Sequence, residues 1–208
     1  MEGYGPQTYG ERAADRYDEW HRDLPGLDDC VECLAELAGP GPVLELGVGT
    51  GRVALPLVQR GLVVDGIDAS PAMLAKLRAK PGGDRVTVGD MAEVGVDASY
   101  SLVFVVFNTL FALVSQDEQV RCFANVAGRL AEGGVFVVEA FVPDPGGGQA
   151  VRAPDRDLGR LPLVGGGAVD LLAALGLAED AAEEREAGGT DVKQWQAQMA
   201  YRAWRVEG

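Results

Sequence analysis

Val43-Leu44-Glu45-Leu46-Gly47-Val48-Gly49-Thr50-Gly51-Arg52 is a short apolar run that ends in alternating glycines. Four mostly apolar residues before a turn signal read as a buried strand. The glycines let the chain turn sharply into a helix. They also let backbone N–H groups approach a bound molecule closely. The dinucleotide fingerprint G-x-G-x-x-G is not met, because position 52 is Arg. Asp68 ends the next apolar run, 17 residues beyond Gly51. A carboxylate there can accept hydrogen bonds from two vicinal ribose hydroxyls.

On both sides of this stretch, strand and helix signals alternate. Residues 8–38 read as two helices, Glu11 to Arg22 and Leu27 to Leu37, separated by Pro25-Gly26. Gly39-Pro40-Gly41-Pro42 stops the second. Arg52 to Gln59 is expected as a helix, with Pro56 disturbing its start. Leu62 to Ile67 reads as strand. Pro71 to Lys80 reads as helix, with Ser70 as N-cap and Pro71 in the first position. Arg85 to Val88 and Leu102 to Phe107 read as strands. Asp117 to Leu130 is expected as a helix closed by Gly133-Gly134, and Val135 to Phe141 as another buried strand. Such alternation implies α/β architecture: a doubly wound, mostly parallel sheet with helices on both faces. Residues 143–168 read as loop, 169–184 as one more helix and 199–206 as a last strand.

Composition narrows the classes of partner. The chain has 208 residues, enough for one domain, and 47% hydrophobic residues, enough for a core. Its formal net charge of −14 disfavours nucleic acid and anionic membranes as partners. Cys30, Cys33 and Cys122 are an odd, low count, which points away from a disulfide framework and toward a reducing compartment. The polar N-terminus does not read as a secretory signal, and no apolar run reaches the roughly 18–20 residues of a membrane span. A cytoplasmic protein is the expectation.

Cys30 and Cys33 lack the further ligands a zinc site needs, so no metal is expected. Their i, i+3 spacing puts both on one helix face, and two buried thiols are expected. No G-x-S-x-G elbow is present, which leaves a serine hydrolase unsupported.

The motifs together resemble the class I S-adenosylmethionine-dependent methyltransferases. The resemblance is carried by residues 43–52, by Gly66-Ile67-Asp68-Ala69-Ser70-Pro71-Ala72-Met73, by Gly89-Asp90-Met91 and by residues 130–139. It covers roughly residues 9–143 and is closest to small-molecule tailoring N-methyltransferases of natural-product biosynthesis. It implies a Rossmann-like fold, an N-terminal helical lid over 1–42, a cofactor-binding core over 43–143 and a shortened acceptor-side tail over 144–208. It also implies S-adenosyl-L-methionine as cofactor, and the sheet order 3-2-1-4-5-7-6 with the seventh strand antiparallel.

The resemblance implies roles residue by residue. Gly47 and Gly49 pass under the methionine portion, and Glu45 fixes its amino end. Asp68 holds the ribose hydroxyls, and Ala69 and Met73 pack on the adenine. Asp90 accepts from the adenine amino group, with the Met91 backbone at the ring edge. Phe107 and Asn108 line the methyl side. Tyr17 lies over the methionine carboxylate or sulfonium, where an aromatic face attracts a cation. Plainer alternatives stand beside these roles: the glycine loop as a simple strand–helix turn, Met73 as core, Tyr17 and Trp20 as core cover, and Asn108 as a turn cap.

Methyl transfer is an in-line displacement, so alignment and exclusion of water supply most of what the protein must add. An amine acceptor often needs no strong base, whereas a hydroxyl more often does. His21 is the one histidine and therefore the one histidine base available, or else a solvated residue at a helix end. Glu139, near the end of the fifth strand, is the other catalytic candidate. It could orient a cationic amine or bond to backbone. Only about 65 residues follow Pro143, few for the acceptor-side insertion of many relatives. A partner or a second subunit, as in a homodimer, could complete that side. The expected function is methyl transfer to a small molecule or peptide, more at nitrogen than at oxygen. The alternatives are an O-methyltransferase, a non-catalytic cofactor-binding or regulatory protein, and a nicotinamide-dependent oxidoreductase, the last disfavoured by Arg52.

Overall fold

The strand at the centre is β1, Val43–Leu46, every residue of it buried. A computed structural model describes residues 5–141, 158–160 and 199–205, with side chains over 5–140. The elements in chain order are α1 (Thr8–Ala13), α2 (Tyr17–Trp20), α3 (Leu27–Ala38), β1, α4 (Ala54–Gln59), β2 (Val64–Asp68), α5 (Pro71–Arg78), β3 (Val86–Val88), β4 (Tyr100–Val105), a 3-10 turn (Thr109–Ala112), α6 (Gln116–Ala127), β5 (Leu130–Phe141), β6 (Leu158–Arg160) and β7 (Met199–Arg205). They build one sheet of order β3-β2-β1-β4-β5-β7-β6. β1 to β5 are mutually parallel. β7 runs antiparallel to β5, from Val135 opposite Arg205 to Phe141 opposite Met199. The expected strand order and the antiparallel seventh strand are both present.

Alternation along β4 shows how the sheet makes two cores. Leu102 and Phe104 face one cluster with Val31 and Leu34 of α3, Leu57 of α4 and Leu74 of α5. Val103 and Val105 face the other, with Cys122, Phe123 and Val126 of α6. Side chains in a strand alternate faces, so one fully buried strand supplies both layers.

Several boundaries differ from the sequence reading. The expected helix from Glu11 to Arg22 is two short helices. The bend between them keeps Glu11 on α5 while Tyr17 and Asp18 turn to the glycine loop. α4 starts at Ala54, not Arg52, which puts Pro56 in its first turn, where its missing N–H has no intrahelical partner to lose. α6 ends at Ala127, and Gly133-Gly134 do not close it. They lie inside β5, where the pairing with β4 shifts register between Tyr100 and Leu102. Gly133 has φ 72°, and a Cβ on Gly134 would lie 2.8 Å from the Ala131 carbonyl oxygen. These glycines therefore serve a strand irregularity. β6 falls inside the segment read as loop. The expected helix over 169–184 lies outside the described residues.

Ser70 caps α5 as expected, its Oγ accepting from the Met73 N–H. α1 packs on this end of α5. Gly10 permits the approach, since a Cβ there would lie 2.4 Å from Ser70 Cβ. The expectation of two buried thiols is not met: Cys30 is half-buried and Cys33 exposed. Position i+3 on α3 has rotated past the packed stripe of Val31, Leu34 and Ala38.

Candidate functional site

At the C-terminal ends of β1, β2 and β4, the crevice where doubly wound sheets hold their ligands, lies a cavity of about 360 Å³. Small-molecule sites typically run ~300–1,000 Å³. Gly47, Gly49, Asp68, Ala69, Met73, Asp90, Met91, Phe107, Asn108 and Tyr17 all line it. The sheet brings together residues up to 61 positions apart in sequence (Gly47 to Asn108) because parallel strands end side by side, and α2 adds Tyr17.

The glycine loop is shaped by positive φ at Gly47 (68°), Gly49 (54°) and Gly51 (86°). A Cβ on Gly47 would lie 2.2 Å from Thr109 Cγ2, so the loop closes on the turn after β4. Asp68 is bonded at both oxygens. Oδ2 accepts from the Gly49 N–H and Oδ1 from the Ser70 N–H, each at 2.8 Å. Burial raises its pKa, and these two bonds oppose the rise. Each carboxylate oxygen has a second lone pair, so Asp68 can brace the loop and still accept from a ligand. Asp90 Oδ1 accepts from the Ala92 N–H at 2.8 Å, which orients its carboxylate.

Glu45 is 4% exposed and does not itself line the cavity. Its Oε2 has no hydrogen-bond partner. Burial pushes its pKa up to about 8, against the lowering effects of the Arg52 charge and an Ala54 backbone bond; the Asp68 charge adds to the rise. An unpartnered buried carboxyl oxygen is costly and marks a place where a cation or donor belongs.

Tyr17 and His21 stack, with ring centroids 4.2 Å apart and planes at 29°. Burial raises the Tyr17 pKa to about 12, although the Arg52 charge opposes it. His21 Nδ1 lies 2.9 Å from the Tyr17 carbonyl oxygen. A carbonyl only accepts, so Nδ1 is the donor of this bond. His21 is not among the cavity-lining residues, but its ring meets that of Phe107 edge-on at 5.3 Å. Glu139, 8% exposed, accepts from the Phe107 N–H through Oε2 at 2.9 Å. Trp20 does not cover the core. It is 52% exposed beneath Arg16.

Sequence reasoning missed Tyr9, Thr109, Phe111 and Val114, which also line the cavity. Tyr9, Phe111 and Val114 are exposed large apolar residues, which only the fold reveals. Polar contacts tie the N-terminal segment to α5, its two ends and the glycine loop. Ser70 Oγ donates to Glu11 at 2.8 Å, Asp15 pairs with Lys76 at 2.7 Å, and Asp18 pairs with Lys80 at 2.6 Å and accepts from Thr50 Oγ1. Among the described residues, no group of three or more His, Cys, Asp or Glu could hold a metal ion, and no helix is long and apolar enough to cross a membrane.

Residues 43–134 match a family model described as a methyltransferase domain. The chain is 31% identical over 167 residues to the cypemycin N-terminal methyltransferase of a Streptomyces species, covering 76% of this chain and 67% of that protein. The chain belongs to the S-adenosylmethionine-dependent methyltransferases. This methyltransferase also resembles the CcbJ methyltransferase of Streptomyces caelestis, with TM-score 0.64 and 43% identity over 72% of this chain and 62% of that one. The glycopeptide N-methyltransferase MtfA complexed with S-adenosyl-L-homocysteine matches with TM-score 0.52 and 26% identity, over 59% of this chain and 55% of that one. The methyltransferase thus spans about two thirds or less of the length of these relatives.

Proposed function

We propose that this methyltransferase transfers the methyl group of S-adenosylmethionine to a nitrogen of a small-molecule or peptide acceptor. The observation that carries the reading is the cavity flanked by carboxylates: Asp68 and Asp90 on its wall and, behind it, Glu45 with a buried, unpartnered oxygen. That set suits a ligand with vicinal hydroxyls, an exocyclic amine and an ammonium group. The names of the cypemycin and glycopeptide relatives favour nitrogen as the acceptor atom.

Bound cofactor would supply an electrophilic methyl group on a sulfonium. Gly47 and Gly49 would run beneath its methionine part, where neither presents a side chain. Glu45 would answer the amino group, Asp68 the ribose hydroxyls and Asp90 the adenine amine. Ala69 and Met73 would pack on the base beside the Met91 backbone. Phe107 and Asn108 would form the methyl side, and Tyr17 would present an aromatic face to the cation. Residues 8–21 would act as a lid, because Tyr9, Gly10 and Tyr17 line the cavity while Glu11, Asp15 and Asp18 tie the segment to α5 and the glycine loop. His21, with Nδ1–H held by the Tyr17 carbonyl, would receive the acceptor's proton at Nε2. The acceptor would enter between Tyr9, Phe111 and Val114, an apolar mouth in an otherwise acidic protein.

Calorimetric titration with S-adenosylmethionine and S-adenosylhomocysteine tests the cofactor reading, and micromolar binding of both is expected. Absence of binding would remove it. Incubation with labelled methyl donor and panels of amines and phenols tests the acceptor atom. Label appearing on phenols alone would assign the chain to oxygen.

A further inference from the structure

Phe107 and Asn108 are consecutive non-glycine residues with left-handed backbone, φ 61° and 62°. A bulky residue rarely adopts that conformation and holds it only where its surroundings enforce it. Three restraints converge on Phe107. Its N–H donates to Glu139 Oε2 at 2.9 Å. The Arg52 guanidinium lies 4.7 Å from its ring centroid. His21 meets the ring edge-on. The Glu139 bond acts on the strained backbone itself, from outside the turn that the Thr109 N–H closes on the Val106 carbonyl at 3.3 Å. Glu139 stands in β5, paired on one side with β4 and on the other with β7. It is therefore mounted on the rigid part of the fold.

We infer that Glu139 is a positioning residue, whose carboxylate holds the Phe107 amide and thereby fixes the 107–109 wall of the cavity. The inference rests on the cofactor reading of that cavity. Phe107, Asn108 and Thr109 all line it. Thr109 is keyed into the glycine loop, where Gly47 leaves no room for a Cβ. If the turn relaxed toward ordinary backbone, the Phe107 ring and the Thr109 contact would move together, and both walls of the methyl side would shift. Glu139 thus acts through Phe107 and not as counter-ion to the acceptor's amine. An amide N–H requires an acceptor oxygen, not a negative charge. Glu139→Gln keeps that oxygen, and Glu139→Leu does not.

The test pairs these two variants in the full chain. Calorimetry with S-adenosylhomocysteine is expected to find Glu139→Gln within about twofold of wild type and Glu139→Leu at least about tenfold weaker. Hydrogen exchange at the Phe107 amide, followed by NMR without ligand, should be slow in wild type and Glu139→Gln and fast in Glu139→Leu. Equal losses in both variants would overturn the inference, since charge would then be what counts. So would a Glu139→Leu protein that behaves as wild type in both measurements. If Glu139→Leu does not fold, wild type against Glu139→Gln decides: retained affinity and slow exchange support the assignment, and loss of either overturns it. A wild type that binds no S-adenosylhomocysteine would refute the cofactor reading, and amide exchange alone would then judge Glu139.

Discussion

Replacing Glu45 with Gln should make the protein more stable at pH 8 and remove much of its pH dependence. The Glu45 pKa is raised from the usual 4.5 to about 8, with burial as the main cause. A carboxyl group raised in the folded state stabilises the fold fully below its unfolded pKa. That contribution is lost as pH rises toward the folded value. The window is therefore pH 4.5 to 8. At about 1.36 kcal/mol for each pH unit, the wild type loses roughly 5 kcal/mol across it from this one group. Glutamine keeps the shape and has no proton to lose. The assay is urea unfolding of wild type and Glu45→Gln at intervals from pH 5 to 8.5, read as the difference between the two. Titrating groups remote from Glu45 are common to both proteins and cancel, whereas Asp68, whose charge acts on Glu45, belongs to the measured difference. The difference should grow in favour of the variant as pH rises. The same group makes cofactor binding proton-linked. A ligand ammonium beside Glu45 favours the carboxylate, so binding near pH 7 should release protons in wild type and fewer in the variant. Calorimetry in buffers of different ionisation enthalpy measures that release. Parallel stability curves between pH 5 and 8.5 would refute the assignment of a buried, mostly protonated Glu45.

Other substitutions test separate parts of the site and fold. Asp68→Ala removes two backbone bonds to a charged acceptor, each worth ~1.5–3 kcal/mol, but also a carboxylate whose burial opposes them, so it should lower stability by less than their sum and weaken S-adenosylhomocysteine binding; unfolding and calorimetry read the two effects. Tyr17→Phe keeps the ring on His21 and should bind S-adenosylmethionine nearly as wild type does. Tyr17→Leu should lose about 1–2 kcal/mol of that binding, and less for S-adenosylhomocysteine, whose sulfur is uncharged. Ser115→Ala breaks the capping box with Glu118 at the start of α6 and should cost about 1 kcal/mol in thermal or urea unfolding, with no change in cofactor affinity.

The glycine loop, Asp68 and Asp90 were legible in sequence because their spacing is tied to strand ends, and parallel strands end on one side of the sheet. Helix limits were less legible. Gly133-Gly134 looked like a helix stop and serves a strand irregularity, since the register between β4 and β5 is a tertiary fact. The short break between α1 and α2 follows from contacts to α5 and Thr50, not from any breaker residue. Cys33 was misplaced because i, i+3 spacing says only that two residues share a region of helix surface. It does not say which region is packed.

Sequence alone determined the class of fold and the kind of ligand. Apolar runs alternating with helices permit few topologies, and the glycines and acids at strand ends belong to a local motif. Only the tertiary structure decided what those acids do. It showed that Asp68 braces Gly49 and that Glu45 is buried with an oxygen unpartnered. It also made His21 Nδ1 a donor to the Tyr17 carbonyl and directed Glu139 to a strained backbone amide 32 residues away in sequence. Burial and long-range hydrogen bonding depend on which strands lie side by side, and residue spacing does not encode their distances.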